Sequence, residues 1–110
     1  DNFKNYVINA KEGDTDLTLK ELTAVRLLKN DFYKKVQDAY VSKADIEELK
    51  ELLGRGRAKK GIFEGDLIDG ELEIGQVSSM IDSMESASEI IIDMMQGFYK
   101  AQKSASKIII

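Results

Sequence analysis

Most of the chain's eight glycines lie between Gly54 and Gly75: Gly54, Gly56, Gly61, Gly65, Gly70 and Gly75. Glycine reaches positive φ and admits close backbone approach, and inside a helix it costs up to about 1 kcal/mol. No uninterrupted helix or strand is therefore expected through this stretch, and the backbone must bend repeatedly. A solvated linker would bend as easily, but it has no use for Ile62, Phe63, Leu67, Ile68, Leu72 and Ile74, which are interleaved with the glycines. Residues 54–76 are accordingly expected to form an ordered loop packed against a body.

On either side of the loop the sequence predicts helices. There is no Pro, the residue least tolerated in helix interiors. Residues 1–53 are read as a helical segment. Phe3, Tyr6, Val7 and Ala10 share one face, and Gly13 ends that helix. Thr15 to Leu19 alternates weakly and suits a short extended stretch. Thr18 and Glu21 have capping-box spacing, with Leu17 and Leu22 placed as a hydrophobic staple, so a helical start is expected over Leu22–Asn30. Asn30 and Asp31 suit the start of a helix carrying Phe32, Val36, Ala39 and Tyr40 inward. Ser42 and Asp45 repeat the capping-box spacing before Ile46, Leu49 and Leu53, and Gly54 is a natural stop. Beyond the loop, Val77, Met80, Met84, Ala87, Ile91, Met94, Phe98, Ala101 and Ala105 alternate at intervals of three and four. That pattern predicts one long amphipathic helix over residues 77–103, followed by a frayed tail at 104–110 ending in Ile108, Ile109 and Ile110. Ile81, Ile90, Ile92 and Met95 widen the stripe, which favours packing onto a body over a narrow coiled-coil seam. The fold class expected is mainly α, with short helices, one long C-terminal helix and little or no β.

Much chemistry is excluded by what is missing. Without His the usual general base and metal ligand are gone, and without Cys there is no thiolate nucleophile and no disulfide. No Walker loop or dinucleotide fingerprint occurs, and Ser78, Ser79 and Ser83 have no base to form a triad. Asp66, Asp69, Glu71 and Glu73 could bracket a hard cation, but their spacing does not fit a calcium loop, and no metal site is expected. The net charge of −4 gives no reason to expect nucleic-acid binding. The cations Arg55, Arg57, Lys59 and Lys60 are flanked by acids. No run reaches the length of a membrane span and none reads as a signal peptide, so neither is expected, and a cytoplasmic location is expected. The chain opens on Asp1 rather than Met, and an excerpt from a longer product is the simpler expectation. One arrangement suits a ligand. The loop runs into a predicted helix start near Glu73 to Val77, where free N–H groups can meet an anion or a polar edge, with Gln76 and Ser78 adding side-chain hydrogen bonds.

A family resemblance lies on the same segment. The run from Leu53 to Asp66 (LGRGRAKKGIFEGD), with Gly70 and then Ile74-Gly75-Gln76, resembles a C-terminal stretch of the nitronate monooxygenase family. That family, formerly called 2-nitropropane dioxygenase, includes the flavin-type enoyl-ACP reductase II. Val25 to Phe32 (VRLLKNDF) is similar to the basic stretch that follows the last barrel strand in such enzymes. The resemblance extends from about Phe3 to Phe98.

It implies an FMN-binding (β/α)₈ barrel of which this chain is the final helical part, folded back near the flavin. Enzymes of this kind oxidise nitronates, or reduce an enoyl thioester with a nicotinamide donor. By position, Gly75 and Gln76 are implied to lie near FMN, and Ser78 to touch substrate, although relatives often carry a small apolar residue there. The family's catalytic His and flavin-phosphate loops belong to earlier strands and are not in this chain. It is thus expected to bind no FMN and to be inactive alone, its partner being the upstream barrel of the same enzyme. The alternative is a stand-alone helical protein-interaction or oligomerisation module, and a homo-oligomer through the Met- and Ile-rich helix is compatible with both.

Overall fold

The computed structural model describes residues 2–108, so Ile109 and Ile110 of the expected tail lie outside the described residues. Five α-helices and one small sheet follow in order: α1 (Asn2–Ile8), β1 (Thr15–Thr18), β2 (Val25–Leu28), α2 (Asp31–Val41), α3 (Ile46–Leu53), α4 (Arg57–Ile62) and α5 (Ala87–Ala105). A 3₁₀ turn at Gln76–Met80 lies before α5. The protein is mostly helical, and a long C-terminal helix is present.

Helices do not fill the segment before the glycine loop. Strands β1 and β2 pair antiparallel, with Thr15 opposite Leu28 and Thr18 opposite Val25. The helical start expected over Leu22–Asn30 is replaced by this second strand. Leu27 and Leu28 are adjacent, point to opposite faces and are both fully buried. Leu27 joins Leu19, Phe32, Val36 and Leu49 in one cluster, whereas Leu28 joins Val7 and Leu72 in another. A strand covered on both faces shows no polar alternation, which is why period-two patterning did not reveal it. Nor does Thr18 cap a helix: it ends β1, and Glu21 instead accepts a 2.6 Å hydrogen bond from the Tyr40 hydroxyl. The neighbouring Tyr33 hydroxyl donates to Asp16 at 2.7 Å, and burial together with that carboxylate pushes the phenol up to about 12.

Asn30 caps α2 as expected, its Oδ1 accepting from the Tyr33 amide at 2.9 Å. The box that starts α3 is Asp45 with Glu48, not Ser42 with Asp45. Both halves of it form, at 2.9 and 2.8 Å. Gly54 ends α3 with φ +64°, as expected.

The glycine segment is not all loop, because α4 lies within it. Gly61 on α4 is buried and meets Gly70 back to back. A Cβ on Gly70 would run into the Asp66 carbonyl and the Gly61 backbone; one on Gly61 would sit 2.8 Å from Leu72 Cδ2. After this contact, Leu72 to Ile74 lies along β2. The Leu28 amide donates to the Leu72 carbonyl at 2.9 Å, and the Ile74 amide to Arg26 at 3.0 Å. Phe63 and Ile68, by contrast, are exposed.

The long helix begins at Ala87, ten positions after the expected start at Val77, and ends at Ala105. Its first turn is fixed by a complete capping box of Ser86 and Glu89, while Ile81 before it is extended. Two rigid hydrogen bonds at Ser86 outweigh an apolar spacing that runs on through Val77, Met80 and Met84. The helix has no buried residue. The molecule measures 59 × 34 × 22 Å with a radius of gyration of 18.4 Å. A compact chain of this size would have about 13 Å.

Gly70→Ala should therefore lower stability by about 2–3 kcal/mol in chemical denaturation, since backbone atoms, which cannot step aside, fill the space. Gly75→Ala should change it by less than about 0.5 kcal/mol, because φ is −81° and no atom lies within 4 Å of the added carbon. Equal effects at the two positions would refute the back-to-back contact.

Candidate functional site

The 66–70 turn, a few residues ahead of the exposed Gly75 and Gln76, is held by two side chains. The Asn30 carboxamide donates to the carbonyls of Leu67 at 3.0 Å, Ile68 at 3.3 Å and Gly70 at 2.9 Å. Arg57 donates to the carbonyls of Leu53 at 2.7 Å, Leu52 at 2.9 Å and Asp69 at 2.8 Å. Its guanidinium also lies 4.5 Å from the centre of the Phe32 ring. One cation thus closes the end of α3, fastens the 66–70 turn and covers an aromatic face. Asp66 folds the turn from within, accepting from the Ile68 amide at 3.0 Å and the Asp69 amide at 2.9 Å. These bonds, the Asp69 amide first and Lys60 next, hold its carboxyl below the usual range.

Asp66 and Asp69 are thereby committed to other work. Asp66 pairs with Lys60 at 3.0 Å and Asp69 with Lys35 at 2.6 Å. Among the described residues no group of three potential ligands has the geometry to hold a metal ion. The basic cluster is likewise divided. Arg57 points inward, Lys59 faces Glu64 at 3.6 Å and Lys60 faces Asp66.

Three residues were expected to form the ligand edge, and the structure separates them. Gly75 and Gln76 are adjacent and exposed. Ser78 is 1% exposed, and its Oγ has no hydrogen-bond partner. The turn they start is a five-residue 3₁₀ helix without a side-chain cap. The long-helix N-terminus expected near Glu73 to Val77 therefore lies instead at Ser86, where Glu89 already serves the Ser86 amide. Sequence reasoning also missed Glu71, treated only as a loop carboxylate. It is largely covered, and burial first, with Glu73 second, raises its carboxyl above the usual range despite Arg57. A covered acid between Gly70 and Leu72 has no local sequence signal.

As they stand, these residues do not make an FMN site. Gly75 and Gln76 offer neutral hydrogen-bonding groups along one edge. Of the basic cluster, Arg57, Lys59 and Lys60 are spent on carbonyls and carboxylates, and only the exposed Arg55 has neither partner among the described residues.

No family model and no curated protein sequence matches the chain. Solved structures do. Over 98% of its length the chain is similar to FabK from Thermotoga maritima, with a TM-score of 0.79 and 25% identity. It is also similar to the M276A mutant of that protein, with a TM-score of 0.72 and 22% identity. The likeness is partial. The chain spans 34% of the first and 30% of the second, about a third of the length of these structures. No helix among the described residues is long and apolar enough to cross a membrane.

The Ser78 hydroxyl gives the site's own test. A buried hydroxyl with no partner contributes no hydrogen bond to lose, so Ser78→Ala should leave the melting temperature of the 110-residue chain unchanged or raise it. A loss of about 1 kcal/mol or more would mean that the hydroxyl has a partner within the chain.

Proposed function

We propose that this chain is the C-terminal helical portion of an FMN-dependent oxidoreductase built on a (β/α)₈ barrel, resembling nitronate monooxygenase and the flavin-type enoyl reductases. The observation that carries the proposal is its likeness to FabK over 98% of its own length but only 34% of the other chain. Such a ratio is what one part of a larger enzyme would give. The glycine segment, where the family resemblance is strongest, is also the part tied down by Asn30 and Arg57.

In this scheme the upstream barrel supplies the catalytic His, the phosphate-binding loops and the cover that this chain lacks. FMN, when bound, supplies the electron and hydride chemistry. Gly75 and Gln76 form one edge of the pocket. The open space beside Gly75 leaves its backbone approachable, and the exposed Gln76 carboxamide can donate or accept. Ser78 stands behind that edge, its unpartnered hydroxyl available to substrate once the turn is displaced. The isolated chain neither holds FMN nor turns over, and the complete enzyme works in the cytoplasm. A stand-alone interaction module is the second reading, favoured by the fully unburied α5.

The two are separated by purifying the chain alone and joined to the coding region that precedes it. Alone it should stay colourless in excess FMN. The longer protein should be yellow and release FMN on denaturation, and Gln76→Ala should weaken its FMN affinity by about tenfold, the loss of one hydrogen bond. A colourless longer protein, or an upstream region without His-bearing barrel strands, would sink the oxidoreductase assignment.

A further inference from the structure

Glu71 is 8% exposed, and among the described residues no hydrogen bond or ion pair engages its carboxylate. The other acids of the segment are satisfied: Glu64, Asp66 and Asp69 each face a lysine, and Glu73 lies in water. A covered carboxylate without a partner is unfavourable as an anion and is relieved by holding a proton.

The surroundings offer no ready counter-ion. Two charged side chains act on Glu71. Glu73, two positions on in an extended chain and so on the same face, opposes its ionisation, whereas Arg57 on α4 favours it. Arg57 is held elsewhere, by its bonds to the carbonyls of Leu52, Leu53 and Asp69. On β2 and just beyond it, Arg26 turns to Thr15 Oγ1 at 3.1 Å and Lys29 to the Gly13 carbonyl at 2.8 Å. The backbone is fastened as well. The Glu71 amide donates to the Arg57 carbonyl at 3.0 Å, and the next residues are tied to β2 through Leu72 and Ile74. The Glu71 carbonyl lies 3.0 Å from where a Cβ on Gly61 would stand, which leaves no slack on that side. An ionised Glu71 therefore reaches water, or the remaining N–H groups of Arg57, only when this segment moves.

We propose that Glu71 is a proton-operated latch: with its carboxyl protonated, residues 70–74 lie closed against α4 and β2, and loss of that proton loosens them together with the exposed Gly75 and Gln76 that follow. The latch does not depend on the flavoenzyme assignment and can fail without affecting it.

The sign follows from burial, which, with Glu73 second, raises this carboxyl above the usual glutamate range. The folded chain binds the proton more tightly than the unfolded one. The stability gained is full below the ordinary glutamate value and is lost as pH rises through the raised one. Asp66 and Asp69, held below their usual range, act in the opposite sense at acid pH, so a comparison of variants at each pH isolates Glu71.

Hydrogen exchange in the 110-residue chain, corrected for the intrinsic effect of pH, reads the latch at the bonded amides of Leu28, Glu71 and Ile74. From about pH 5 to about pH 8 these should lose about threefold or more of their protection, while the Leu49 amide of α3 keeps its own. Glu71→Gln, which cannot ionise, should show no such loss. Glu73→Gln, which removes the like charge, should make the loss smaller and move it to lower pH. In the parent chain the Glu71 carboxyl carbon should titrate above an ordinary glutamate. The same pH dependence in Glu71→Gln, an equal loss at Leu49, or an ordinary carboxyl titration would each overturn the proposal. The last two are read on the parent chain and decide the matter even where a variant fails to fold.

Discussion

Three backbone carbonyls of the 66–70 turn converge on the side-chain amide of Asn30. The same residue's Oδ1 starts α2. Asn30 is 7% exposed, so its carboxamide is nearly out of water's reach and must be satisfied by protein. Arg57 repeats the device from the other side, joining the carbonyl end of α3 to Asp69. Between them the two side chains let a glycine-rich backbone stay in the interior. The Gly61–Gly70 contact, the Leu72 strand along β2 and the edge at Gly75 all follow from that anchoring.

The parts legible in the sequence were those coded by neighbours a few residues apart. Asn30 as a cap and Gly54 as a stop could be read because short-range rules decide them. The β2 strand could not, since its two buried leucines depend on clusters assembled from α1, α2, α3 and Leu72. The start of α5 was written in the sequence as Ser86 and Glu89, yet a longer apolar periodicity ran over it. Capping fixes where a helix begins; periodicity only says which face is apolar. Arg57 shows the same limit, because a cation in a charged run gives no sign that it will turn inward onto Phe32.

The candidate site was legible as a segment and not as a set of side chains. Gly75 and Gln76 lie where a glycine loop leaves the sheet, while Ser78, two positions on, is turned under the surface by the tight 3₁₀ pitch. The outcome is a chain of two characters. One end is a small body whose polar interior is tied up, and the other is an exposed edge and a helix with no buried residue. The proposed place in a larger enzyme would give both exposed features a common reason.

Amide hydrogen exchange tests most directly whether the anchored turn is a ready-made frame for a site completed elsewhere. It would be followed in the 110-residue chain and in the longer protein with FMN. The expected result is slow exchange from Asn30 and from Leu67 to Leu72 in both, with Gly75 to Ser78 fast in the chain alone and protected in the longer protein. Equal exchange at Gly75 to Ser78 in the two, or fast exchange throughout Leu67 to Leu72 in the chain alone, would contradict it.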